Sequence, residues 1–303
     1  MLRRVWRPGF ACELSAILWP FQKGRGDPAY QKDPDGGIWR AIRTPEGAAT
    51  VHLTSLPADG EIHVSAWGEG AEWAADRLPA MLGAEDDPSG FEPRHAWIAE
   101  AWERHRGLRV PRTGLVFESA LAAVIEQKVT GGEAYAGWRR LLRRYGEEAP
   151  GPGRARGMRV PPAPATVARI PSWEWLRMPV DPGRSRTVVA VARVAGSLER
   201  TLGLPSQEAD RRLRSLPGVG RWTSAEVRQR AHGDPDAVSL GDYHLGRRVG
   251  WTLLGEVLDD DAVEEFLEPY RPHRFRVQQL VDVAGSSPPR RGPRMAPRRH
   301  LPT

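Results

Sequence analysis

Between two segments of helical patterning, residues 207–213 and 224–231, the chain reads Leu216-Pro217-Gly218-Val219-Gly220. Pro217 lacks a backbone donor and ends the first helix, the glycines supply the positive φ that a tight reversal demands, and Val219 can fold into the core between them. A chain carrying this stretch therefore folds here as two helices joined by a very short hairpin. The second helix begins with unpaired amides and the positive end of its dipole, which together attract an anion, and Arg221 adds a formal charge beside them. Such a clasp holds a phosphate without reading a base. Five residues alone leave that reading and a plain helix-helix turn equally weighted, and the spacing matches neither the P-loop nor the dinucleotide fingerprint.

Around the hairpin the chain divides by texture. With 303 residues, 40% hydrophobic and 27% charged, it can bury a sizeable core and is expected to form two domains, three at most. Residues 9–82 are strand-like: 38–43 lead into the turn Thr44-Pro45-Glu46-Gly47, Val51 and Leu53 alternate with polar neighbours, and Ile62, Val64 and Ala66 repeat the period of two. Residues 69–82 are helical in pattern, so the region reads as an antiparallel sheet with a covering helix. Past the turn-rich link at 83–88 the pattern is helical. Phe117, Leu121, Val124, Ile125 and Val129 share one helical spacing, and Tyr135, Trp138, Leu141 and Leu142 belong to a second helix. Residues 150–164, rich in Pro, Gly and Arg, are expected to be an exposed connection, with further helices over 164–170, 185–202, 245–254, 262–267 and 274–283. After Gly285 the sequence SSPPRRGPRMAPRRHLPT carries five arginines and no apolar periodicity, and a disordered basic tail is expected, a solvated terminus in preference to a DNA-contacting arm. The expected fold class is α+β: an N-terminal α+β domain over residues 1–108, an all-α helix-hairpin-helix domain over 109–285 and the tail over 286–303.

Composition narrows the chemistry. The single cysteine, Cys12, rules out an internal disulfide and a cysteine-ligated zinc or iron-sulfur centre within one chain. The eight histidines show no metal-type pairing such as H-E-x-x-H, and Asp234-Pro235-Asp236 falls short of a calcium loop. No metal and no cofactor are expected, so hydrolysis would run on carboxylates and water. There is no run of about 18 apolar residues, and the N-terminus lacks an apolar stretch ending at a small-residue cleavage site. The expectation is a cytoplasmic monomer with no membrane partner. The net charge of +6 comes from arginine far more than from lysine, and a guanidinium suits phosphate. That balance permits double-stranded DNA as a partner and fits equally the arginine bias of a GC-rich genome.

After the second hairpin helix comes Gly233-Asp234-Pro235-Asp236-Ala237-Val238-Ser239-Leu240-Gly241-Asp242-Tyr243-His244-Leu245, a loop rich in Gly, Pro and Asp that leads into another helix. A helix-hairpin-helix followed by such a loop and an aspartate resembles the helix-hairpin-helix superfamily of DNA glycosylases. FESALAAVIEQKVT at 117–130 is similar to the helix that precedes the lesion pocket in that superfamily, and PSWEWLRMPVDPGRSRTV at 171–188 to its middle helices. The sheet-like N-terminal region resembles, by texture, the bacterial 3-methyladenine DNA glycosylase II branch.

The resemblance implies a base-excision-repair enzyme that flips alkylated purines out of double-stranded DNA and releases them. It places the catalytic carboxylate at Asp242, where it would stabilise an oxocarbenium-like sugar and help water attack. Without the resemblance, Asp242 reads as an N-cap for the following helix, a role that can coexist with catalysis. Gly218, Val219, Gly220, Arg221 and Thr223 become the clasp on the DNA backbone. In lyase members the residue two places after the second hairpin glycine is a Schiff-base lysine; here it is Trp222, which has no nucleophile, and the implied reaction is base release without strand cleavage. Aromatic walls for the flipped base would come from Trp138, Trp173, Trp175, Trp222 and Tyr243, although most such residues are ordinarily core. The wedge that fills the vacated stack falls at Gln127 or Lys128, where an apolar residue is the simplest expectation. A tryptophan near the catalytic aspartate in the C-terminal helix is replaced by Asp282 or a neighbour, which bears on lesion range. The alternatives are a non-catalytic helix-hairpin-helix protein that only clamps phosphate, which has no need of a carboxylate pointing at electronegative DNA, and a lyase on oxidised bases, against which Trp222 argues.

Overall fold

A computed structural model describes residues 1–289, so residues 290–303 of the expected basic tail lie outside the described residues. Five strands, β1 (Leu2–Trp6), β2 (Tyr30–Lys32), β3 (Ile38–Thr44), β4 (Gly47–Leu56) and β5 (Glu61–Trp67), form an antiparallel sheet in the order β1-β5-β4-β3-β2. The β3–β4 hairpin closes on the Thr44↔Gly47 pair. Its period of two sends Ile38, Ile42, Val51, Leu53, Ile62 and Val64 to one face, each 3% exposed or less. There they join Ile17 and Leu18 from the helix Leu14–Leu18, Ala74 from Ala71–Asp76 and Leu78 from Leu78–Met81.

This core does not stop at the sheet. Ile98 and Trp102 of the helix Ala96–Arg104 belong to it, and so do Val249, Val263 and Leu280 of the last three helices, Leu245–Leu254, Asp260–Leu267 and Arg274–Ala284. A second core is built by the helices between them. Leu121 and Val124 of Val116–Glu126, Leu141 of Gly131–Tyr145, Val188 of Pro182–Arg193 and Val227 of Arg221–Val227 meet there. The two ends of the chain thus share one apolar core, and the hairpin helices belong to the other.

Several expectations are corrected. Residues 150–164 are not simply an exposed connection: Met158 and Val160 are buried with Trp39, Ala41 and Ala149 against the second face of the sheet. β6 (Glu147–Glu148) pairs with β7 (Arg159–Val160) at this point, and Trp39 stacks on Trp67 with ring centroids 5.7 Å apart. Proline and glycine mark turns here, and the apolar partner that buries them lies far away in sequence. Val129 falls outside the helix, which ends at Glu126, and residues 185–202 are split between Pro182–Arg193, Ala195–Glu199 and the 3-10 turn Arg200–Gly203. The basic N-terminus is also a strand: β1 is an edge strand with Arg3 and Arg4 exposed, and such charge hides an edge strand from any search for apolar alternation.

Candidate active site

The helix Ser206–Arg214 ends two residues before Leu216, and Arg221–Val227 begins directly after Gly220, continuing through the π-helical turn Arg228–His232. Gly218 holds φ at +86°, and a Cβ there would stand 2.0 Å from Thr187 Oγ1, so only glycine fits the turn. Val219 is buried, and its N–H donates to the Leu216 carbonyl at 3.0 Å. Val219 therefore shapes the hairpin, and its amide is already committed. Gly220 is exposed, with open space where a Cβ would be. Arg221 is exposed and forks onto both carboxylate oxygens of Glu264, at 2.7 and 2.8 Å. Thr223 is buried, and its hydroxyl accepts from the Gln127 amide, so its side chain is not free to meet a phosphate.

Gln127 and Lys128 follow the Val116–Glu126 helix and face different ways. The Gln127 amide donates to the Gly218 carbonyl at 2.8 Å and to Thr223 Oγ1 at 2.7 Å, strapping that helix to the hairpin. Lys128 is exposed with φ at +53°, an unusual angle for a residue bearing a side chain. Of the expected aromatic walls, Trp138 and Trp175 are core residues, and the Trp138 indole is bonded to Asp27 Oδ1 at 2.9 Å. Trp173 is exposed. Tyr243, 74% exposed, lies beside Asp242 in sequence with the Arg247 guanidinium 5.5 Å from its ring centroid.

Trp222 and Asp242 meet. The Trp222 indole N–H donates to Asp242 Oδ2 at 3.2 Å, while Oδ1 accepts the His244 N–H at 2.7 Å. Asp242 therefore caps its own turn two residues on, and the N-cap position of the helix Leu245–Leu254 is His244. Burial raises the Asp242 carboxyl above its ordinary pKa; the His244 amide opposes this, Glu226 adds to it, and the Trp222 indole favours the ionised form.

Apart from Asp282, several residues of this site were given no functional role from sequence. Glu226 stands one turn beyond Trp222 on the same helix face, buried, and accepts from Ser239 Oγ at 2.7 Å while pairing with Arg230 at 2.7 Å. Ser239 in turn donates its N–H to Gln278 Oε1 at 3.1 Å, which ties the loop before Asp242 to the C-terminal helix. One turn past Gln278, Asp282 pairs with Arg248 at 2.7 Å. Its pKa is raised to about 7 by burial, against Arg248 and with the like charges of Asp242 and Glu226. Tyr135 faces the same group of charges: burial and then Glu126 raise its hydroxyl pKa, and Arg230 lowers it. The i, i+4 spacing of Trp222 and Glu226 was a readable signal; the pairings across the chain were not. A surface concavity of about 560 Å³ lined by Arg25, Tyr30, Lys32, Arg143 and Arg156 shares no residue with this cluster.

An antiparallel sheet followed by a helical region, with a Gly-Val-Gly hairpin whose second helix touches an aspartate of the next loop, defines the fold of the helix-hairpin-helix DNA glycosylases. The chain shares this fold with solved DNA glycosylases and is homologous to the DNA repair protein AlkA. It is 31% identical to the probable bifunctional transcriptional activator/DNA repair enzyme AlkA of Mycobacterium tuberculosis over 269 residues, 83% of this chain and 51% of that protein. The chain thus spans about half the length of the curated relative it matches. Among solved structures, the 3-methyladenine DNA glycosylase from Archaeoglobus fulgidus superposes with a TM-score of 0.75 at 20% identity, covering 93% of this chain and 98% of that one. The Clostridium acetobutylicum 8-oxoguanine glycosylase/lyase, in complex with double-stranded DNA, gives a TM-score of 0.71 at 12% identity over 93% of this chain and 96% of that one. No protein-family profile matches the chain. No helix among the described residues is long and apolar enough to cross a membrane.

Proposed function

We propose that the chain is a monofunctional DNA glycosylase that flips alkylated purines of the 3-methyladenine type out of double-stranded DNA and releases them by hydrolysis in base excision repair. The carrying observation is the hydrogen bond between Trp222 and Asp242 at the start of the second hairpin helix. A bond to N9 of an alkylated, cationic purine breaks readily, because the base leaves neutral and needs no acid. Charge then develops on the sugar, and a fixed carboxylate beside it lowers that barrier. Asp242 is held on both oxygens before any substrate arrives, so it does not reorganise during the step. Its raised proton affinity also makes it a better base toward the attacking water. Trp222 stands where a lyase would carry an amine, and an indole cannot form a Schiff base. Gly218, Gly220 and the first amides of the Arg221 helix serve as the phosphate clasp, and Arg221 exchanges Glu264 for a phosphate when DNA binds.

The test is incubation of the purified chain with methylated double-stranded DNA, reading free base and strand breaks before and after alkali. Free methylated purine with breaks only after alkali supports the proposal. Breaks without alkali, together with a borohydride-trapped protein–DNA adduct, would mean a lyase. Salt-dependent DNA binding with no base release would leave only a phosphate clamp.

A further inference from the structure

Three elements bring acidic groups to one place. The hairpin helix brings Glu226, the loop that follows brings Asp242, bonded to Trp222, and the Arg274–Ala284 helix brings Asp282. The C-terminal helix is locked in phase with the loop, because Gln278, one turn before Asp282, accepts the Ser239 N–H at 3.1 Å and its amide lies 3.3 Å from Ser239 Oγ. Arg248, on the helix that follows Asp242, fixes Asp282 from the other side. One amino group pairs with Asp282 Oδ1 at 2.7 Å, and the other donates to the Val281 and Asp282 carbonyls at 3.0 and 2.9 Å. Asp282 Oδ2 is left without a hydrogen-bond partner among the described residues. The charged groups facing Asp282 are Arg248 and Arg230 on one side of the balance and Asp242 and Glu226 on the other.

We propose that Asp282 is a second catalytic carboxyl of this site, a general acid that protonates the leaving base and extends excision to purines that carry no positive charge. The inference rests on the glycosylase reading above. A neutral purine must leave as an anion unless it gains a proton in the step. With Asp282 protonated, the C1′–N9 bond breaks with its electron pair going to the purine, and the Asp282 proton passes to a purine ring nitrogen. Water adds to C1′ and its proton goes to Asp242, so the products are a neutral base and an abasic sugar. Solvent then returns a proton to Asp282 and takes one from Asp242. Two carboxyls in unequal surroundings divide the roles of acid and base. Asp282, raised to about 7 by burial and by neighbouring carboxylates, holds its proton in a useful share of molecules near neutrality.

The experiment is single-turnover base release from duplexes carrying either 3-methyladenine, a cation with no acidic ring N–H to lose, or hypoxanthine, which is neutral, between pH 5.5 and 8. Wild-type release of hypoxanthine should decline as pH rises through about 7, and release of 3-methyladenine should not show that limb. Asp282→Asn should lower the ratio of neutral to cationic release about 100-fold and remove the limb, and Asp282→Glu should restore part of the ratio. A merely structural role for Asp282 would slow both substrates in proportion, and that result overturns the proposal. Wild-type release of 3-methyladenine without hypoxanthine overturns it too. Release of neither base means that the glycosylase reading itself fails, and this inference with it.

Discussion

At the residue scale, the site turns on what Trp222 does for Asp242. Replacing Trp222 by Phe removes one hydrogen bond to a charged acceptor, an interaction of about 1.5–3 kcal/mol, so single-turnover release should fall at least about tenfold while DNA affinity is retained. Trp222→Lys should do something different: it puts an amine beside the sugar and should yield a borohydride-trapped adduct that the wild type does not give. The pH dependence has a definite sign. In the proposed mechanism Asp242 acts in its ionised form, and its proton affinity is raised, so release of a cationic base should fall on the acid side with a midpoint above the usual 3.8. The adjacency of Trp222 and Asp242 was legible, because hairpin and loop follow each other in sequence and resemble a known pattern. Glu226 was half legible from its spacing. The Arg248–Asp282 pair was not, since it joins residues 34 apart and depends on the relative phase of two helices.

Among the elements, the hairpin is the one most exposed to a single change. Gly218→Ala forces a Cβ into Thr187 Oγ1 and a side-chain residue into a left-handed angle, a strain of about 1–3 kcal/mol that chemical denaturation should read. The same variant should weaken DNA binding, because the turn and the first helix amides move together. Gln127 is an element-level strap before it is anything else. As a wedge it would have to give up the Gly218 carbonyl and the Thr223 hydroxyl, whereas Lys128 is exposed and committed to neither. The β3–β4–β5 meander was readable from alternation because one face packs on a core. Residues 150–164 were misread for the converse reason: their two buried anchors, Met158 and Val160, answer to Trp39 and Ala41 more than a hundred positions away.

Over the whole molecule, the sheet and the last three helices share one core, and a division at residue 108 runs through shared packing. Asp86 and Arg276 reinforce it with a two-pronged buried ion pair at 2.7 and 3.0 Å. Removing one partner leaves a buried charge unpaired, so Arg276→Ala should cost about 3–5 kcal/mol, readable as a lowered denaturation midpoint. Nothing in composition announced that pair, because a buried arginine and a surface arginine are the same letter. What the fold achieves is to bring the hairpin helix, the Asp242 loop and the C-terminal helix to one point. The decisive measurement is single-turnover release of 7-methylguanine from duplex DNA by wild type and by Asp242→Asn, with DNA affinity measured alongside. If Asp242 is the carboxylate that stabilises the sugar, the variant should lose at least about 100-fold in release and keep its affinity. Release that survives the substitution unchanged would contradict the mechanism.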